Sequence, residues 1–196
     1  MEFNPACCSV TGKPDTGCIG CDIVNRKVNI PGGIIHSGRS VVLAADPQIP
    51  IPGFLIITAK RHFQSFADLT KEERSEIGDI LSCAEKALKE LGIADEITLV
   101  QEERSCHFHI WIFPVHPWIR KHFGTGIQHL REVSQYAAAH ADESIWHKVS
   151  DTAAEIRRYF GSHMPQAHFV TDKETEYVYQ RSRSVSFVIR GCRILM

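Results

Sequence analysis

Residues 106–113, Cys-His-Phe-His-Ile-Trp-Ile-Phe, hold the densest chemistry in the chain. On a strand, residues two apart share a face and lie about 6.6 Å from one another. His107, His109 and Trp111 therefore look one way, and Phe108, Ile110 and Ile112 the other. Two imidazoles on a rigid strand with an apolar back suit covalent catalysis, because imidazole is largely neutral near pH 7 and is a good nitrogen nucleophile. The same pair equally suits hydrogen bonds to structural carbonyls, and the residues alone do not choose. A second group, Cys18 and Cys21 in Cys-Ile-Gly-Cys, offers two thiolates at a spacing that suits zinc but needs two further ligands.

These groups need elements to hold them. A first helix is expected over about 18–25. Short strands follow in "GGIIHSG", "SVVLAA" and "GFLIITAK", apolar and β-branched and bounded by glycine or proline. The stretch "DLTKEERSEIGDILSCAEKALKELG" predicts a long helix: Thr70 and Glu73 have the spacing of a capping box, Ile77, Ile80, Leu81, Ala84, Leu88 and Leu91 share a face, and Gly92 ends it. "EITLVQ" and "CHFHIWIF" read as antiparallel strands joined by a tight turn at "EERS" and ended by Pro114 and Pro117. Beyond them, 118–140 and 142–160 carry helical periodicity, with Asp142 as a cap and Gly161 as a stop, and either pack on the sheet or form a dimer contact. The fold class is α+β: an antiparallel sheet of about five strands with a long helix across it, plus C-terminal helices.

The expected organisation is a loose segment over 1–17, one domain over 18–117, a helical extension over 118–162 and a tail over 163–196, in which "EYVYQ" and "SVSFVIR" alternate like strands. With 196 residues, a formal charge of −1 and 43% hydrophobic residues, the chain has no strong nucleic-acid signal and no affinity by charge for an anionic membrane. No apolar run approaches the roughly 18 residues of a membrane span, and the first residues lack the basic and apolar regions of a secretion signal. Seven unevenly placed cysteines favour thiols and a metal over a disulfide framework, so a cytoplasmic, reducing location is expected.

"HFHIWIFP" resembles the histidine-triad signature His-φ-His-φ-His-φ-φ, with Trp111 in the third histidine position. The approach to it agrees: "CIGC" resembles the family's N-terminal Cys-x-x-Cys, "LAADPQIPIPGFLIITAKRH" its segment from an Asp at a strand end to Pro-Lys-x-His, and "FADLTKEERSEI" the opening of its central helix. The resemblance runs from about Cys18 to Pro114. It implies the sheet-and-helix fold above, commonly a homodimer, and a hydrolase or transferase acting on phosphorus-linked nucleotides such as dinucleoside polyphosphates. His109 corresponds to the attacking histidine, which forms a nucleotidyl-imidazole intermediate. Asp46 corresponds to the Asp that accepts from ribose hydroxyls, though a turn-forming Asp before Pro47 is an equal reading. Val42, Leu43 and Ile57 line a base pocket or are ordinary core. In the zinc-bearing branch, His62 and His107 join Cys18 and Cys21 as ligands of a closed, structural zinc site.

Two departures bear on activity. Trp111 offers an N–H donor but no exchangeable proton, where the third histidine would give general-acid help of about 10²- to 10⁴-fold; His116 is the nearest substitute in sequence. The segment "QEERS" lacks the glycine-containing phosphate loop: Arg104 and Ser105 suit a phosphate, whereas Glu102 and Glu103 repel one. Trp111 is also a candidate contact to substrate. Arg120, Lys121, His122 and Arg131 either meet a phosphate chain or form a solvated helix face, and Trp118 either stacks on a base or packs in the core. The expected function is thus a histidine-triad phosphohydrolase or nucleotidyl transferase, with a nucleotide-binding module that has lost turnover as the alternative.

Overall fold

A computed structural model describes residues 17–124 and 129–164. The expectations for 1–17 and for the tail fall outside the described residues, apart from Gly17, His163 and Met164.

Helix α1 (Ile19–Val24) opens on Cys18 as its N-cap and closes on Asn25. Strands β1 (Ile34–Ser37), β2 (Val41–Ala45) and β3 (Leu55–Ala59) follow, then α2 (Lys71–Glu90), β4 (Ile97–Val100) and β5 (His109–Pro114). Helices α3 (Pro117–Phe123), α4 (Leu130–Ala139) and α5 (Glu143–His163) complete the described chain. The five strands form one antiparallel sheet in the order β1-β2-β3-β5-β4. The histidine strand therefore lies inside the sheet, where ladders on both sides hold its backbone.

The alternation expected of β5 sorts the two faces. Ile110 and Ile112 join Phe108, Leu43, Ile57 and Leu55 in a core under α2 and α5, which adds Ile77, Ile80, Leu88, Val149, Ile156 and Phe160. On the opposite face, Val42, Ala44 and Ile56 pack with Ile23 of α1 and Ile30, and Trp111 borders them. A third cluster, Phe54, Phe113, Ile119 and Val133 among others, seats α3 and α4 against the end of β5, and Trp111 borders this cluster too. Helix α2 begins with the Thr70–Glu73 capping box, both of its hydrogen bonds in place.

Three expectations are corrected. The link between β4 and β5 is no tight turn: β5 begins at His109, so His107 and Phe108 precede the strand. There the backbone pairs elsewhere, the Phe108 N–H donating to Phe63 O and the Ala59 N–H to Phe108 O. Glu103 draws the loop the same way, accepting from Ser65 Oγ at 2.6 Å. The stretch 118–140 is two helices, α3 ending at Gly124, whose φ of 73° suits glycine. Helix α5 runs through Gly161 to His163, its last turn pinned by buried Phe160 and by Tyr159 Oη donating to Glu90 at 2.7 Å.

Candidate metal centre and active site

The N-terminus of α1 carries Cys18 and Cys21, while His62 follows β3 and His107 precedes β5. Their ligand atoms all lie within 4.8 Å of one another. Cys18 Sγ is 3.7 Å from His62 Nδ1 and 3.3 Å from His107 Nδ1; Cys21 Sγ is 3.3 and 3.5 Å from the same two atoms, which are 3.2 Å apart. A tetrahedral zinc with Zn–S of about 2.3 Å and Zn–N of about 2.05 Å would set S···N edges of about 3.5 Å and an N···N edge of about 3.3 Å. The four donors thus already have the size and shape of that coordination shell.

The hydrogen bonding fits as well. His107 Nε2 lies 2.7 Å from Ala59 O, which can only accept, so Nε2 carries the proton and Nδ1 keeps its lone pair toward the sulfurs. Burial, with help from His62 and His109, holds His107 down at about 4, the neutral form a ligand needs. Burial, then the neighbouring Cys18, pushes the Cys21 thiol up to about 11, so a cation is what would bring two thiolates together here. The Cys21 N–H at the start of α1 donates to Cys18 Sγ at 3.5 Å. Gly20 is required between them: a Cβ there would meet His107 Cδ2 at 2.7 Å and Cβ at 2.8 Å.

His109 is buried, and its Nδ1 lies 3.0 Å from His107 O. The carbonyl again fixes the proton, on Nδ1, and leaves the Nε2 lone pair unshared among the described residues. The candidate metal ligand His107 thus positions its neighbour through its own backbone. Across the ladder His109 pairs with Thr58, whose buried Oγ1 has no hydrogen-bond partner among the described residues, and Trp111 pairs with Ile56. The Trp111 ring lies 5.0 Å from that of His109, inclined by 60°, and its buried Nε1 makes no close hydrogen bond among the described residues, although the Asp46 carboxylate is within its reach.

Asp46 follows β2 and is buried on the face of Ala44 and Trp111. Its Oδ1 accepts from the Gln48 and Ile49 amides at 2.8 and 3.0 Å, the turn geometry the sequence allowed. Burial pushes its carboxyl up, and the two amides, His109 and Trp111 oppose that push, which puts this carboxylate in the electrostatic reach of both β5 side chains.

Other candidates lie apart. Arg104 is exposed and its guanidinium is paired with Glu102, while Ser105 Oγ is bonded to the His107 backbone. His116 Nε2 donates to Pro52 O at 2.7 Å, which commits it to a structural carbonyl. Trp118 stacks on Tyr136 at 5.6 Å beside the third cluster, and Arg120 is paired with Glu96. Of the residues offered as base-pocket walls, Val42 faces α1, but Leu43 and Ile57 belong to the core under α2. A cavity of about 400 Å³ is instead lined by Arg26, Val28, Asn29, Ile30, Gly33 and Ile34, beside the Val42 cluster. Sequence reasoning missed that cavity, Thr58 and Gly20. Thr58 had one signal, its polar place in the apolar strand "LIITA".

This arrangement is the histidine-triad fold. Among solved structures, the chain resembles a histidine triad nucleotide-binding protein from Sulfolobus tokodaii (15% identity, 78% of this chain and 99% of that one, TM-score 0.54). It also resembles a zinc-bound histidine triad family protein from Mycobacterium smegmatis (13%, 74% and 94%, TM-score 0.53) and a HIT-like protein involved in cell-cycle regulation from Bartonella henselae (18%, 74% and 98%, TM-score 0.50). No protein-family model and no curated protein sequence matches the chain.

Proposed function

We propose that this chain is a zinc-stabilised nucleotidyl-transferring phosphohydrolase of the histidine-triad type, with His109 Nε2 as the nucleophile. The observation that carries the reading is the His109 Nδ1 contact with His107 O at 3.0 Å, which leaves Nε2 unshared on an interior strand. Attack on the α-phosphorus of a bound nucleotide gives a nucleotidyl-histidine, and water or another acceptor resolves it. Dinucleoside polyphosphates and related nucleotides are the proposed substrates. Asp46 accepts from the ribose through its remaining oxygen, and Trp111 borders the phosphates. Arg104 and Ser105, close before β5, meet the phosphate chain once Arg104 leaves Glu102.

Zinc at Cys18, Cys21, His62 and His107 would be structural: four protein ligands leave no position for a reacting water. Bound there, it neutralises two thiolates and locks α1 to the β3 and β5 segments. The tetrahedral donor spacing supports this, and so does the zinc-bound neighbour of the same fold. A homodimer belongs to the same reading, since β4 ends the sheet and leaves Leu99 49% exposed.

A nucleotide-binding module without turnover is the second reading. It is favoured by Trp111 in the third motif position and by the Glu102–Arg104 pair. Turnover of diadenosine polyphosphates by the zinc-loaded protein separates the two. The enzyme reading expects His109→Ala to lose at least about 10³-fold in kcat while nucleotide binding persists; nucleotide binding without turnover in the native protein would establish the module instead.

A further inference from the structure

The cost of breaking the bond between the α-phosphorus and its leaving group rises with the basicity of the departing atom, unless an acid delivers a proton as the bond breaks. Among the described residues, the groups around His109 able to do so are engaged. His107 donates its Nε2 proton to Ala59 O and turns Nδ1 toward the sulfurs. His116 donates its Nε2 proton to Pro52 O. Asp46 serves as an acceptor, its Oδ1 for two amides and its remaining oxygen, on the reading above, for the ribose. The side chain beside His109 on the same face is Trp111, whose buried Nε1–H makes no close hydrogen bond among the described residues and lies within reach of the Asp46 carboxylate. An indole N–H donates a hydrogen bond but does not give up its proton near neutral pH.

Resting on the reading of His109 as nucleophile, we propose that this site is confined to nucleotides whose leaving group departs unprotonated, namely phosphoanhydrides. Phosphoramidates and alkyl esters are excluded, and Trp111 donates a hydrogen bond to a phosphate oxygen without transferring a proton. The His109 Nε2 lone pair forms the N–P bond as the bond from phosphorus to the bridging oxygen breaks. The electron pair leaves on a terminal phosphate, which carries it as an anion, and the proton stays on Nδ1, donated to His107 O. Water then attacks phosphorus, its proton passes to solvent, and the N–P electron pair returns to Nε2. An amine or alkoxide leaving group would need a proton at the first step, and a neutral indole does not provide one.

The test is the rate of leaving-group release from zinc-loaded protein with aryl esters of adenosine and uridine 5′-monophosphate. The phenols span a range of acidity, and diadenosine triphosphate is compared with adenosine 5′-phosphoramidate. The expected result is a rate that falls steeply as the phenol becomes more basic, with the anhydride at least about 10²-fold faster than the phosphoramidate, the low end of general-acid help. Trp111→His should flatten the dependence, whereas Trp111→Phe should keep it steep and weaken nucleotide binding. A shallow dependence in the native protein, with the phosphoramidate as good a substrate as the anhydride, would overturn the inference while leaving His109 as nucleophile. A shallow dependence that turns steep in Asp46→Asn would overturn it by assigning the acid to Asp46. Bound nucleotide with no release of even the most acidic phenol would overturn the nucleophile reading, and this inference with it.

Discussion

At the scale of the residue, two carbonyls do much of the work that the motif histidines need. Ala59 O takes the proton side of His107 and turns Nδ1 to the thiols; His107 O takes the proton side of His109 and frees Nε2. These partners are backbone atoms, so the strand geometry sets them and no side chain in the sequence announces them. Gly20 gives a sharp check of the metal centre. Gly20→Ala places a methyl group into the His107 ring, so zinc content measured by native mass should fall well below one per chain. Gly161→Ala, in open space within α5, is the control: it should keep its zinc and raise stability by about 0.5–1 kcal/mol. Cys21→Ser should lose the metal outright, and stoichiometric zinc in that variant would refute the ligand set.

At the scale of the element, the strongest signals in the sequence are local hydrogen bonds with a fixed spacing. Thr70 and Glu73 mark the start of α2 because a capping box needs only four residues, and Cys18 likewise opens α1. The 101–108 link was illegible for the opposite reason: its path depends on Ser65 and Phe63, nearly forty residues or more away, which hold Glu103 and Phe108. The α3–α4 break likewise turns on the left-handed backbone of Gly124, which periodicity across 118–140 conceals. Facing of side chains was half legible. The alternation in β5 gave the two faces, but Leu43 and Ile57 turn toward α2 while Val42 turns toward α1, a register that depends on pairing with β3.

Glu73 also joins α2 to the segment carrying His62. Arg61 Nε and Nη2 donate to its two carboxylate oxygens at 2.7 and 2.8 Å. Those bonds, chiefly, hold the Glu73 carboxyl at about 2, below its ordinary 4.5. Because the folded value is the lower one, this pair contributes its stability above about pH 4.5 and loses it as pH falls toward 2. Glu73→Gln should therefore destabilise by about 1–3 kcal/mol at pH 7 in urea unfolding and narrow its deficit against the native protein between pH 4.5 and 3.

At the scale of the whole molecule, the described chain has a sheet closed on both faces, by α2 and α5 on one and by α1 with the metal ligands on the other. Helix α5 is part of this core: Phe160 is 2% exposed among β1, β2 and α2 residues, and Arg157 Nε donates to Ile34 O at 2.8 Å. Phe160→Ala should cost about 3–5 kcal/mol in chemical unfolding. Among the described residues, no helix is long and apolar enough to cross a membrane. The candidate metal centre and the proposed nucleophile share one residue, since His107 offers its ring to the one and its carbonyl to the other. Removing zinc with a chelator should therefore lower thermal stability and nucleotide turnover together, with both recovered when zinc is restored.

The proposed chemistry turns on His109, and mass spectrometry of the intact protein, zinc-loaded and quenched during turnover of a dinucleoside polyphosphate, tests that role most directly. The expected result is a mass increase of one nucleoside monophosphate unit that maps to His109 and vanishes in His109→Ala. Product formation with no adduct, or an adduct that persists in His109→Ala, would contradict it.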